Sequence, residues 1–217
     1  MEPRLKEAQD GQRAVYFVDA AHFVYGPFLG VLWCLQRLFV KTPSGRQRLN
    51  VLAALNAVSH ELVWVANGTY VNAGTVCELL CRLAALHVGT PITVVLDNAR
   101  YQHCTLVQDV AARVHIELLF LPPYSPNLNL IERFWKWVKK RCLYGKYYAD
   151  HRAFEQAILD CISNASTCHK AQLQTLLTLN FQTFEDVPLV PDQDQTGWLP
   201  DRSIPLNTRG EVSSMAA

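Results

Sequence analysis

The chain lacks any apolar run of roughly 18 residues free of charged or polar interruption, which excludes a spanning helix read from hydropathy. Its first ten residues, MEPRLKEAQD, have no apolar centre and so do not read as a secretory signal. The cytoplasm is the expected location. Cys-x-x-Cys is absent: the seven cysteines stand singly at 34, 77, 81, 104, 142, 161 and 168, an odd and scattered set that argues against a disulfide framework or a zinc ribbon. Reduced, buried thiols are the ordinary reading, with an irregular metal site around Cys77 and Cys81 or Cys168 and His169 as the alternative. The histidines show no ligand spacing, and P-loop, GxGxxG and Gly-x-Ser-x-Gly motifs are all missing, as is any internal repeat. What remains is ordinary for a globular chain. Half the residues are hydrophobic and 18% are charged, and a length of 217 suits one well-buried domain rather than two.

A net charge of +1 conceals an uneven distribution. Residues 185–217 hold six acids and two arginines, a balance of −4, which leaves +5 for residues 1–184. Arg37, Lys41, Arg46 and Arg48 stand together without an acid, and Arg133, Lys136, Lys139, Lys140, Arg141 and Lys146 surround only Glu132. Two basic patches suit phosphate binding, and solvated surfaces are the competing reading.

The β-branched and aromatic run Ala14–Val18 predicts a strand that ends at Asp19, and the aromatic stretch through Trp33 to Val40 predicts a second. Residues Arg48 to Val58 and Glu61 to Val65 read as two more strands. Apolar residues at Val76, Leu79, Leu80, Leu83 and Leu86 predict a helix over 72–86. Strands are expected at Ile92–Leu96 and at Ile116–Leu121, both buried, with a helix from Cys104 to Arg113 between them. Pro122-Pro-Tyr-Ser-Pro126 ends the last strand rigidly. Further helices are predicted from Asn129 to Leu143, Asp150 to Asn164 and Ala171 to Leu179, and little order after Phe184. A meander followed by alternating helix and strand implies an α/β fold, a mixed sheet with helices on its faces.

Asp19 and Asp97 each close a predicted strand, and Glu132 lies in the first turn of the helix after the proline turn. If the two strands are parallel neighbours, the aspartates emerge side by side. Three converging carboxylates repel one another unless they hold cations, and oxygen-only ligation selects Mg²⁺ or Mn²⁺. Two such ions about 4 Å apart activate a water or hydroxyl and stabilise the leaving oxygen of a phosphodiester. Each acid also has a structural alternative. Asp97-Asn98 forms turns readily, Asn129-x-x-Glu132 has the form of a capping box, and Glu132 with Lys136 is an i,i+4 pair. Phe134, Trp135 and Trp137 beside the lysines read as core packing, with base stacking as the alternative.

The segments VYFVDAAHF (15–23), ITVVLDNARYQ (92–102) and LLFLPPYSPNLNLIERFWKWVKK (118–140) together resemble the DDE transposases of the mariner-like superfamily, especially those of bacterial insertion sequences. The order of the segments agrees, as do the 34 residues between Asp97 and Glu132. The resemblance covers roughly residues 14 to 145. It implies an RNase H-like domain over 14–184, preceded by an extension at 1–13 and followed by a tail at 185–217. It also implies a metal-dependent DNA recombinase in which Asp19, Asp97 and Glu132 are the catalytic residues and hold two Mg²⁺ or Mn²⁺ ions. The implied reaction is hydrolysis at transposon ends, then attack of the freed 3′-hydroxyl on target DNA. Arg133, Lys136, Lys139, Lys140, Arg46 and Arg48 are the expected DNA-phosphate contacts, and Asn98 is expected to help orient the site.

Ala20 stands where the family commonly has glutamate, Gln102 where histidine is frequent, with His103 one step later, and Leu130 where proline is common. Such enzymes carry helix-turn-helix modules ahead of the catalytic domain, whereas about thirteen residues precede the first strand here. The implied partners are therefore transposon-end and target DNA, a separately encoded helix-turn-helix domain and a second copy in a homodimer, with no membrane. A bacterial cytoplasm, at the nucleoid when DNA is bound, is the implied setting. The alternative is a non-catalytic DNA-binding or assembly remnant of a transposase.

Overall fold

The computed structural model describes residues 1–26, 35, 47–122 and 125–181. Two units divide the chain, Met1–Gln182 and Thr183–Ala217, and the second lies outside the described residues, as do the expected tail, the predicted Trp33–Val40 strand apart from Leu35, and Arg46.

Helix α1 (Glu2–Gln9) precedes strand β1 (Ala14–Val24), and β2 (Arg48–Asn56) and β3 (Leu62–Asn67) complete an antiparallel meander. The chain then alternates through α2 (Ala73–Leu86), β4 (Ile92–Leu96), α3 (Thr105–Arg113) and β5 (Ile116–Phe120). Four helices follow: α4 (Leu130–Cys142), α5 (His151–Ser163), α6 (Ala165–Cys168) and α7 (Lys170–Leu176). The sheet order is β3-β2-β1-β4-β5, with β4 parallel to β1 and β5 parallel to β4.

Period-two alternation assigns each strand residue to one of two cores. Val15, Phe17, Ala21 and Phe23 of β1 join Val51, Ala53 and Leu55 of β2 and Val95 of β4 on the face covered by α4 and α5. Tyr16 and Val18 join Leu52, Ala54, Val94 and Leu96 on the opposite face, under α2 and α3. All five residues of β4 are buried, as a central parallel strand requires.

Three expectations change. β1 does not end at Asp19 but continues to Val24, because β2 still pairs with it there, residue for residue, down to Val24 with Arg48. β5 is half-buried beyond Ile116 rather than buried throughout, since it is the sheet edge. Leu86 is exposed, for α2 runs past the core at its last turn. Residues 1–13 include α1, which buries Leu5 and Ala8 in the α4-side core.

Candidate active site

The parallel ladder pairs Phe17 with Val95, so continuing the register by two residues brings Asp19 level with Asp97. Asp19 shares the parity of Phe17 and Asp97 that of Val95, two residues whose side chains face α4. Both acids thus occupy the point where β4 stops and β1 goes on, paired there only with β2 through Ala53.

Glu132 comes to them on α4. This helix buries Leu130, Ile131, Phe134, Trp135, Trp137 and Val138, leaving Glu132 half-buried at the margin with Lys136 and Lys139 at helical spacing beside it. The aromatic trio is core. The capping box offered as the structural alternative does not form: Asn129 makes no side-chain cap. Its Nδ2 donates to the Val18 carbonyl at 3.4 Å, across 111 positions of sequence, while its buried Oδ1 has no partner among the described residues. Asn129 therefore ties the start of α4 to the backbone next to Asp19. Nor does Glu132 pair with Lys136, no ion pair within 4 Å joining them.

Electrostatics connect the three acids. The Asp19 carboxyl is pushed up to about 6, chiefly by burial, then by the negative charges of Glu132 and Asp97; the Ala20 N–H and Lys139 act the other way. Tyr101 lies in the same field, its hydroxyl raised by burial and by both aspartates. Asp97 is exposed, and its Oδ1 accepts the N–H of Asn98 at 2.6 Å. Mutual repulsion opposes a tighter grouping, and among the described residues no three His, Cys, Asp or Glu side chains are gathered closely enough to enclose a metal ion. The donor set itself fits a hard divalent cation: carboxylate oxygens alone, sharing a negative field that raises the Asp19 carboxyl and that a cation would relieve.

The expected phosphate contacts separate. Lys136, Lys139 and Lys140 are exposed, and no ion pair engages them among the described residues. Arg133 is committed to its own chain, donating to the Thr178 carbonyl at 2.8 Å and the Asn180 carbonyl at 2.9 Å, with its guanidinium over the Phe181 ring. Arg48 is exposed at the start of β2. A cavity of about 480 Å³ opens between α4 and α7, lined by Arg133, Lys136, Trp137, Lys140, Arg141 and Leu176 among others. The six described cysteines are free thiols. None of the described helices is long and apolar enough to cross a membrane.

Tyr101, Asn129 and His103 went unread as site residues. For His103 the signal was its place one step after the resemblance's frequent histidine; its Nε2 lies 3.0 Å from Asn98 Oδ1.

A family profile described as DDE superfamily endonuclease matches residues 14–155. No curated protein matches. Among solved structures, the Mos1 strand transfer complex has a TM-score of 0.53 at 12% identity, covering 85% of this chain and 60% of that one. The Mos1 mariner paired-end complex with Mn gives 0.51 at 11% identity, with 85% and 61% covered. This chain thus spans about three fifths of the length of each of these two chains. The likeness gives the fold as RNase H-like, a mixed sheet flanked by helices.

Proposed function

Because this chain belongs to the DDE superfamily endonuclease family, we propose that it is the catalytic domain of a DNA transposase, with Asp19, Asp97 and Glu132 as the residues that hold its divalent cations. The observation that supports this reading is that Asp19 in β1, Asp97 just past the end of the neighbouring parallel β4 and Glu132 on the covering helix share one electrostatic field, in which the latter two raise the Asp19 carboxyl. The domain extends over 14–184, with 1–13 and 185–217 as flanking segments.

Mg²⁺ or Mn²⁺, two ions when the site is filled, supplies the Lewis acidity that activates a water or hydroxyl and offsets charge on the leaving oxygen. The chain's own residues bind and orient. Asp19 and Asp97 anchor the site to the sheet, and Glu132 contributes from a helix whose start is fixed to β1 by Asn129. Lys139 tempers the acidic field, and Lys136 and Lys140 are free to meet phosphates. The substrate is DNA, cut at element ends and joined through the freed 3′-hydroxyl. Two ends handled together call for a homodimer, and end recognition for a helix-turn-helix module supplied in the same assembly.

The test is cleavage of transposon-flanking DNA with Mg²⁺ or Mn²⁺, with and without any protein encoded immediately upstream. Asp97→Asn and Glu132→Gln should each lower cleavage on the order of a thousandfold or more, with thermal unfolding little changed. Full cleavage by either variant removes that residue from the site.

A further inference from the structure

Asp97 sits on exposed backbone just past β4, and its Oδ1 accepts the Asn98 N–H at 2.6 Å. What fixes Asn98 consequently fixes the peptide against which the Asp97 carboxylate is set. The Asn98 side chain is held at both ends. Its Nδ2 donates to the Leu121 carbonyl just past the end of β5, and its Oδ1 contacts His103 Nε2 at 3.0 Å. A carbonyl only accepts, so the amide nitrogen must face Leu121 and the amide oxygen must face the imidazole. The histidine therefore carries its proton on Nε2. His103 is in turn held flat on Phe120, the last residue of β5, with ring centroids 3.9 Å apart and planes at 20°. An exposed ring stacked on the edge strand, donating inward to the residue next to Asp97, is more contact than a surface histidine needs.

We propose that His103 is a positioning residue for Asp97, acting through the Asn98 amide, so that the edge strand β5 sets the orientation of the second acid. This rests on the reading of Asp97 as a cation ligand. The 3₁₀ turn Arg100–Gln102 carries His103 back to Asn98.

The test is Mn²⁺ binding to the full chain, followed by calorimetry and by the ion's spin-resonance signal, beside thermal unfolding. His103→Phe keeps a ring for Phe120 but has no donor, whereas His103→Gln keeps a donor. His103→Phe should weaken Mn²⁺ binding about 10- to 100-fold, the usual scale for partners of ligands, with Tm within about 2 °C of the parent. His103→Gln should recover most of the affinity, and His103→Phe added to Asn98→Ala should weaken binding no further. The proposal is overturned if His103→Phe binds Mn²⁺ like the parent while Asp97→Asn has lost it, or if His103→Gln is as weak as His103→Phe. If the parent chain and Asp97→Asn bind Mn²⁺ alike, the ligand role of Asp97 itself falls and takes this proposal with it.

Discussion

Above a pH of about 6, Asp19 ionises in a half-buried position facing two further acids. Its carboxyl is raised from 3.8 to about 6 by burial first and by Glu132 and Asp97 next. Between those values the unfolded chain gives up the proton and the folded chain keeps it, so stability falls as pH rises through that window. Above it the fold carries a penalty of about 3 kcal/mol, at about 1.4 kcal/mol per pK unit. Asp19→Asn should therefore stabilise the protein by up to about 3 kcal/mol at pH 8 and hardly at all at pH 3, while losing Mn²⁺ binding. Urea unfolding at the two pH values reads the difference; equal gains at both would exclude ionisation as the cause. The acids themselves were legible from the sequence, because a charge closing an apolar run is conspicuous. Their supporting groups were not. Asn129 reads locally as a helix cap, and only the folded chain brings Val18 to its side chain, 111 positions away.

Helix α4 presents its acid and its lysines from one margin and its aromatic residues to the sheet. Phe134 is fully buried, and Phe134→Ala should cost about 3 to 5 kcal/mol in denaturant unfolding, whereas a base-stacking residue would cost DNA affinity instead. Replacing Lys136, Lys139 and Lys140 with alanine should lower the slope of log K against log salt for DNA by roughly 2.7, at about 0.9 per phosphate contact. An unchanged slope would place the DNA elsewhere. Arg133 should contribute less to that slope than its sequence position suggests, being bound to the Thr178 and Asn180 carbonyls. Helical periodicity foretold α2 and α4 closely, since each turns one apolar stripe inward. It missed the length of β1, for beyond Asp19 only β2 remains alongside and the burial pattern turns to alternation, with Ala21 and Phe23 inward and His22 and Val24 outward.

In the molecule as a whole, the N-terminal helix is fastened to the sheet edge. Arg4 and Arg13 both reach Glu117 of β5, and Thr93 of β4 donates its hydroxyl to the same carboxylate at 2.7 Å. Burial pushes the Glu117 carboxyl up, but the Thr93 hydroxyl and Arg4 outweigh it, and the net displacement is downward. Its support is present above the ordinary carboxylate range and is lost as pH falls through that range, the reverse of Asp19. Glu117→Gln should lower Tm at neutral pH, where the ionised carboxylate gives its support, and leave it nearly unmoved in acid, where that support is already gone; an equal Tm at neutral pH would show that this network adds nothing. No sequence pattern foretold the network, since its groups come from three distant segments. The same order of strands has a consequence during synthesis. The parallel neighbour of β1, β4, starts 78 positions after it, and the helix with the third acid is later still. The proposed site is therefore complete only after the chain as far as Glu132 has been made.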